Sequence, residues 1–110
     1  MGQVLPVTTN VPDCETAEAM ARHAVQRQLA ACVNGLPGVK SIYRWHGVVK
    51  QAEEIGLAMK TKASRHAELA QAIESLHPYE VPEIVVVPVT QGLSIYLEWI
   101  RAVALEKPKE

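Results

Sequence analysis

Between Val39 and Val48 the chain reads Val-Lys-Ser-Ile-Tyr-Arg-Trp-His-Gly-Val, rich in the β-branched and aromatic residues that favour an extended strand. At about 3.4 Å per residue this run alone would extend roughly 34 Å, against about 17–20 Å for an ordinary strand. One small sheet cannot pair all of it. The overhang would leave amides and carbonyls unpaired beside Ile42, Trp45 and Ile55, an aggregation hazard unless other copies cover those edges. Closed cyclic assembly covers every edge alike. Because side chains alternate in a strand, Ser41, Tyr43 and Trp45 share one face and Ile42, Arg44, His46 and Val48 the other. Residues 49–52 read as the turn of a hairpin, without an Asn-Gly pair to fix it. Glu54 to Thr61 is the return strand, with Ile55, Leu57, Met59 and Thr61 on its larger apolar face.

The remaining elements follow from periodicity and punctuation. Gln3 to Thr9 reads as a first strand, ended by Asn10-Val11-Pro12-Asp13, with Asp13 as the N-cap of a helix. In that helix Ala17, Met20, Ala21, Ala24, Val25 and Leu29 recur at helical spacing, and Glu15 and Glu18 sit in the first turns, where the macrodipole favours anions. A short strand through Cys32 and a break at Gly35-Leu36-Pro37-Gly38 precede the long hairpin. Ser64 caps a second helix with Leu69, Ile73 and Leu76 as its buried stripe, and His77-Pro78 ends it. The unbroken run Ile84 to Val87 has the pattern of a strand covered on both faces. Gly92 leads into a last helix with Tyr96, Leu97, Ile100, Val103 and Ala104 on its core face, then a charged tail. The order βαββαβ plus a terminal helix predicts an α+β, ferredoxin-like sandwich with a long β2–β3 hairpin, one domain over residues 1–110.

Several function classes are excluded by composition. A formal net charge of −1 offers no field for phosphate backbones, and a chain with no Phe lacks the paired aromatics of an RNA-reading sheet, so no nucleic-acid partner is expected. No apolar run is long enough to span a bilayer and the first residues lack a signal-peptide layout, so no membrane partner and a cytoplasmic location are expected. Cys14 and Cys32 are the only cysteines, without CxxC spacing, and read as free thiols. With no phosphate loop, no GxSxG and no oriented nucleophile, the chain is not read as an enzyme and no catalytic residue is assigned.

Five segments together resemble one family. They are residues 29–34 (Leu-Ala-Ala-Cys-Val-Asn), 41–47 (Ser-Ile-Tyr-Arg-Trp-His-Gly), Lys60-Thr61, 77–84 (His-Pro-Tyr-Glu-Val-Pro-Glu-Ile) and 96–100 (Tyr-Leu-Glu-Trp-Ile). In this order and spacing, from about Val4 to Ile100, the chain resembles the CutA proteins. The resemblance implies a ferredoxin-like protomer, a tight homotrimer built around long strands, and a part in tolerance or binding of divalent cations, copper above all. The copper site proposed for some bacterial relatives uses a cysteine near the end of strand one and two adjacent histidines before Pro-Tyr. Here Thr8 and Thr9 occupy the first region, Leu76 replaces the first histidine, and His77 alone matches.

Candidate site residues follow. His77 is the expected metal ligand, since neutral imidazole suits copper or another divalent cation, weakly bound. With Tyr79, Glu80 and Glu83 it forms the densest polar cluster, on a loop between a helix and a strand. Tyr43, Trp45 and Trp99 are candidates to line a small-molecule cleft, and Glu54 and Lys60 to contribute charge to it. A trimeric regulatory module that binds a small metabolite between subunits is the alternative function.

Overall fold

The computed structural model describes residues 3–105. Its elements are β1 (Val4–Val11), α1 (Cys14–Gln26), β2 (Cys32–Trp45), β3 (Val48–Lys62), α2 (Ala63–Leu76), β4 (Val85–Val86) and α3 (Ser94–Val103). The four strands form one antiparallel sheet in the order β2-β3-β1-β4, which is the ferredoxin-like arrangement expected from the element order.

The sheet is uneven in depth. β1 pairs β3 only from Val4↔Lys62 to Val11↔Ile55, so the arms formed by Val39–Trp45 and Val48–Glu54 pair with each other alone. That overhang of seven residues a side amounts to roughly 24 Å of two-stranded ribbon. It gives a radius of gyration of 14.6 Å, above the roughly 13 Å of a compact chain this long.

The hairpin turn is not at residues 49–52 but at His46-Gly47, with φ of 50° and 77°. Positive φ at both central residues matches the strand twist, and Gly47 takes it without a Cβ penalty. The break expected at Gly35–Gly38 is instead a bulge within one continuous strand: the register slips between Leu36↔Gly56 and Val39↔Glu54, with Gly38 at φ 76°. Pro37 is tolerated there because β2 is an edge strand and a bulge leaves a residue unpaired.

Residue parity on β1 and β3 sorts the helices between the two faces. Val7, Val11, Leu57 and Met59 point to α1 and α2, where Ala17, Met20, Ala24, Leu69 and Ile73 close the main core. Val4 points the other way and packs with Ala31 and Ile100, so α3 covers the opposite face; the helices do not share one side. Asp13 caps α1 as expected, its Oδ1 accepting from the Thr16 amide at 2.7 Å, and that bond lowers the Asp13 pKa. Leu29 is buried, but beyond the end of α1.

Other expectations are corrected by the environment. α2 begins before Ser64, with Lys62 as its N-cap and the Ala63 amide held by the Gln3 carbonyl at 2.8 Å. Leu76 and Tyr96 are exposed rather than buried, and Val25 lies off the α1 core face. Ile84–Val87 is not covered on both faces: Val85 and Val86 pair with β1, the Val87 amide donates to the Pro6 carbonyl at 3.0 Å, and Val85, Val86 and Val87 lie open at the sheet edge. The charged tail predicted after α3 lies outside the described residues, and no helix among them is long and apolar enough to cross a membrane.

Candidate functional site

Where the ribbon leaves the sheet, the loop after α2 comes round the end of β1 and lies across the face opposite α1 and α2. Its start is pinned by His77, which caps α2 and is 8% exposed. His77 Nε2 lies 2.8 Å from the Asn10 carbonyl and donates to it, while Nδ1 accepts from the Tyr79 amide at 3.2 Å. These two bonds define a neutral imidazole with its proton on Nε2. No lone pair is left for a metal unless one of the bonds is released.

Tyr79 then reaches the sheet. Its hydroxyl donates to Glu54 Oε2 at 2.6 Å, and Ser41 Oγ donates to Glu54 Oε1 at 2.5 Å. Glu54 is 8% exposed, at the point where β3 passes from three-stranded pairing into the ribbon. Burial, then the hydrogen bond to Glu54, then the charge on Glu54 raise the Tyr79 phenol pKa well above its usual value. Farther along the loop Glu83 Oε1 accepts from Asn10 Nδ2 at 3.2 Å. Gly56 makes room for that asparagine, since a Cβ there would meet Asn10 Oδ1 at 3.2 Å and Val39 Cγ2 at 3.4 Å.

Loop and ribbon enclose a cleft of about 510 Å³. From the sheet come Asn10, Ser41, Tyr43, Trp45, Lys50 and Glu54, and from the loop Pro78, Tyr79, Glu80, Val81 and Glu83. Six of the residues expected at a ligand cleft therefore meet: Tyr43, Trp45, Glu54, Tyr79, Glu80 and Glu83. Two do not. Lys60 is bonded to Asn34 Oδ1 outside the cleft, and Trp99 stacks on Tyr96 at 5.9 Å between ring centroids, on α3. Tyr96 in turn lies 3.5 Å from the Cys32 sulfur, which raises its pKa, and both thiols are free.

Sequence reasoning misses Asn10, Ser41 and Lys50 on the sheet side, and Pro78 and Val81 on the loop, as lining residues. Alternation had already put Ser41 beside Tyr43 and Trp45; Lys50 was absorbed into a misplaced turn; Asn10 reaches the site only through pairing with β3. The carboxylates of Glu54, Glu80 and Glu83 face one lining ammonium, that of Lys50, so the cleft is anionic. Among the described residues no group of three or more His, Cys, Asp or Glu side chains is disposed to hold a metal ion.

Fold and site thus define a ferredoxin-like chain with an overhanging ribbon and an anionic, aromatic-walled cleft at its root. Residues 5–103 match the family described as CutA1 divalent ion tolerance protein, and the chain belongs to that family. The divalent-cation tolerance protein CutA of Thermus thermophilus is 44% identical over 92% of this chain and 96% of its own length. The human protein CutA is 39% identical over 93% of this chain, which spans 57% of that longer relative. Among solved structures, the Thermus thermophilus protein superposes with a TM-score of 0.88 at 42% identity, covering 91% of this chain and 97% of that one. CutA1 of Oryza sativa gives 0.90 at 33% identity, covering 97% of each chain.

Proposed function

We propose that this chain acts in divalent-cation tolerance as a cytoplasmic, non-catalytic homotrimer, with the cleft at the ribbon root as its ligand site. The observation that carries this reading is the cleft's charge: a buried carboxylate, Glu54, with Glu80 and Glu83 at the same opening. Such walls attract cations and repel anions. Copper is the cation to which the family resemblance points, and it binds weakly here. Carboxylates are poorer copper ligands than imidazole, and the His77 ring is already committed to Asn10 and Tyr79. Calorimetry with copper, zinc and magnesium on the wild type and on Glu80→Ala/Glu83→Ala tests this. Weak copper binding reduced in the double variant is expected; no binding of any divalent cation by the wild type would sink the cation reading.

The trimer is supported by what the protomer leaves uncovered. Among the described residues the outer edges of β2 and β4 have no strand beside them, and Ile42, Val49 and Val48 on the ribbon are 67%, 61% and 56% exposed. Light scattering during size exclusion at low micromolar concentration should give three times the protomer mass of 12.1 kDa. A persistent monomer would remove this part of the reading.

The second reading, a regulatory module binding a small metabolite, is favoured by the size of the cleft. About 510 Å³ falls in the range of small-molecule pockets and is far larger than a metal ion needs.

A further inference from the structure

The Glu54 carboxylate is held in an unusual way. It is 8% exposed and its two hydrogen bonds come from neutral hydroxyls, those of Ser41 and Tyr79. No lysine, arginine or histidine among the described residues forms an ion pair with it. A carboxylate offers about four acceptor sites, of which two are used. Removing a charge from water without an opposite charge is unfavourable by several kcal/mol in typical proteins, so buried carboxylates are normally paired. Lys50, the one cation in the lining, starts four residues away along β3, roughly 14 Å at strand spacing, opposite Tyr43. Around the carboxylate, the ribbon side of the cleft is walled by Tyr43 and Trp45.

We propose that the cleft takes a small organic ammonium ion, its nitrogen against Glu54 and its carbon skeleton against Tyr43 and Trp45. This rests on the reading of the cleft as the ligand site and names the chemical class of its occupant. The ammonium N–H groups supply donors for the acceptor sites of Glu54 that Ser41 and Tyr79 leave open, as well as the missing positive charge. Aromatic faces attract an organic cation through their quadrupoles and bury its methylene groups, whereas a bare metal ion gains no ligand atoms from them. The volume left beyond Glu54 suits a molecule of several carbons.

The chain has 2 tryptophans, and Trp99 lies outside the cleft, so Trp99→Phe in the full chain leaves Trp45 as the single fluorescent reporter of its wall. This protein is titrated at constant ionic strength with n-butylammonium chloride, with 1-butanol as the uncharged probe of equal chain length, and with copper chloride. Saturable Trp45 fluorescence change with butylammonium, at least about tenfold tighter than with 1-butanol, is expected, since that ratio corresponds to about 1.4 kcal/mol. Glu54→Gln should abolish the preference of amine over alcohol. Trp45→Leu, a change at a half-exposed position, should weaken butylammonium binding by calorimetry while leaving the melting curve in place, which covers the case in which Glu54→Gln fails to fold.

Equal responses to amine and alcohol would overturn the proposal. So would a folded protein of unchanged mass that responds to neither. Copper separates the two readings: copper binding without butylammonium binding overturns this inference and leaves the divalent-cation reading standing, and the reverse result removes the latter alone.

Discussion

The two ends of the β2–β3 hairpin obey different rules although they are continuous in sequence. At the root, β3 lies between β1 and β2, and Leu57, Met59 and Thr61 are 3%, 0% and 0% exposed. At the tip, each arm has only the other for company, and most side chains from Lys40 to Lys50 are exposed. A two-stranded ribbon of this kind is at best marginal in water by itself. The root therefore supplies the stability of the chain, and the tip presents the exposed surface on which the proposed assembly and ligand site depend. Glu54 stands at the junction, buried like the root and polar like the tip.

The sharpest way to break this division is to damage the root. Met59 is fully buried between the helices and β1, and Met59→Ala should destabilise the protein by about 2–5 kcal/mol in denaturant unfolding. A cost under 1 kcal/mol would place the stability elsewhere. Next in size is a change at the tip. Ile42→Asp should keep the far-ultraviolet circular dichroism of the wild type while shifting the mass in light scattering from trimer toward monomer, because charge on an exposed edge strand opposes pairing. Loss of secondary structure would show that the ribbon is needed to fold the root.

The junction is probed by Tyr79→Phe, which removes one of the two donors to Glu54 and should cost about 1.5–3 kcal/mol, the range for hydrogen bonds to charged groups. The same bond predicts a pH effect. The phenol pKa is raised on folding from the ordinary 10.0, so the native state holds this proton more tightly than the unfolded chain. The contribution is complete below pH 10.0 and is lost as pH rises toward the native pKa. Melting temperatures between about pH 9 and 11 should fall more steeply for wild type than for Tyr79→Phe, and parallel curves would refute the coupling. The smallest effect is expected from dithiothreitol, because Cys14 and Cys32 are free: a metal-free melting curve that moved in reductant would contradict this.

What could be read from the sequence divides along the line between local and non-local causes. The Asp13 cap was legible because it depends on a carboxylate and an amide three residues apart. The face shared by Ser41, Tyr43 and Trp45 was legible because alternation is intrinsic to a strand. The turn is misplaced because the β-branched and aromatic content of Val39 to Val48 reads as one unbroken strand, while His46-Gly47 takes the positive φ of a two-residue turn without the Asn-Gly pair that would mark it. Burial of Ile84–Val87 was misjudged because an apolar run looks the same whether or not a neighbouring strand arrives to cover it. Asn10 reaches the site only through the pairing of β1 with β3, Lys50 is hidden by the misplaced turn, and the committed state of the His77 ring cannot be seen without Asn10 beside it.

The bulge in β2 lets a single strand carry two phases of alternation on one face of the sheet. Below it, the side chains sharing the face of Gly56, Ala58 and Lys60 are the even-numbered Cys32, Asn34 and Leu36; above it, those sharing the face of Glu54, Ala52 and Lys50 are the odd-numbered Val39, Ser41 and Tyr43. One extra residue between Leu36 and Val39 changes the phase. Deleting a single residue there would leave composition, strand propensity and the main core almost untouched. It would also place Leu36 and Val39 two residues apart, matching Gly56 and Glu54 on β3, so the ladder would run straight and Ser41, Tyr43 and Trp45, held in register by the His46-Gly47 turn, would keep the face they share with Glu54. The bulge therefore sets the bend and twist with which the ribbon leaves the sheet rather than which side chains face the cleft, and Gly35-Leu36-Pro37-Gly38 acts on the site without contributing a side chain to it.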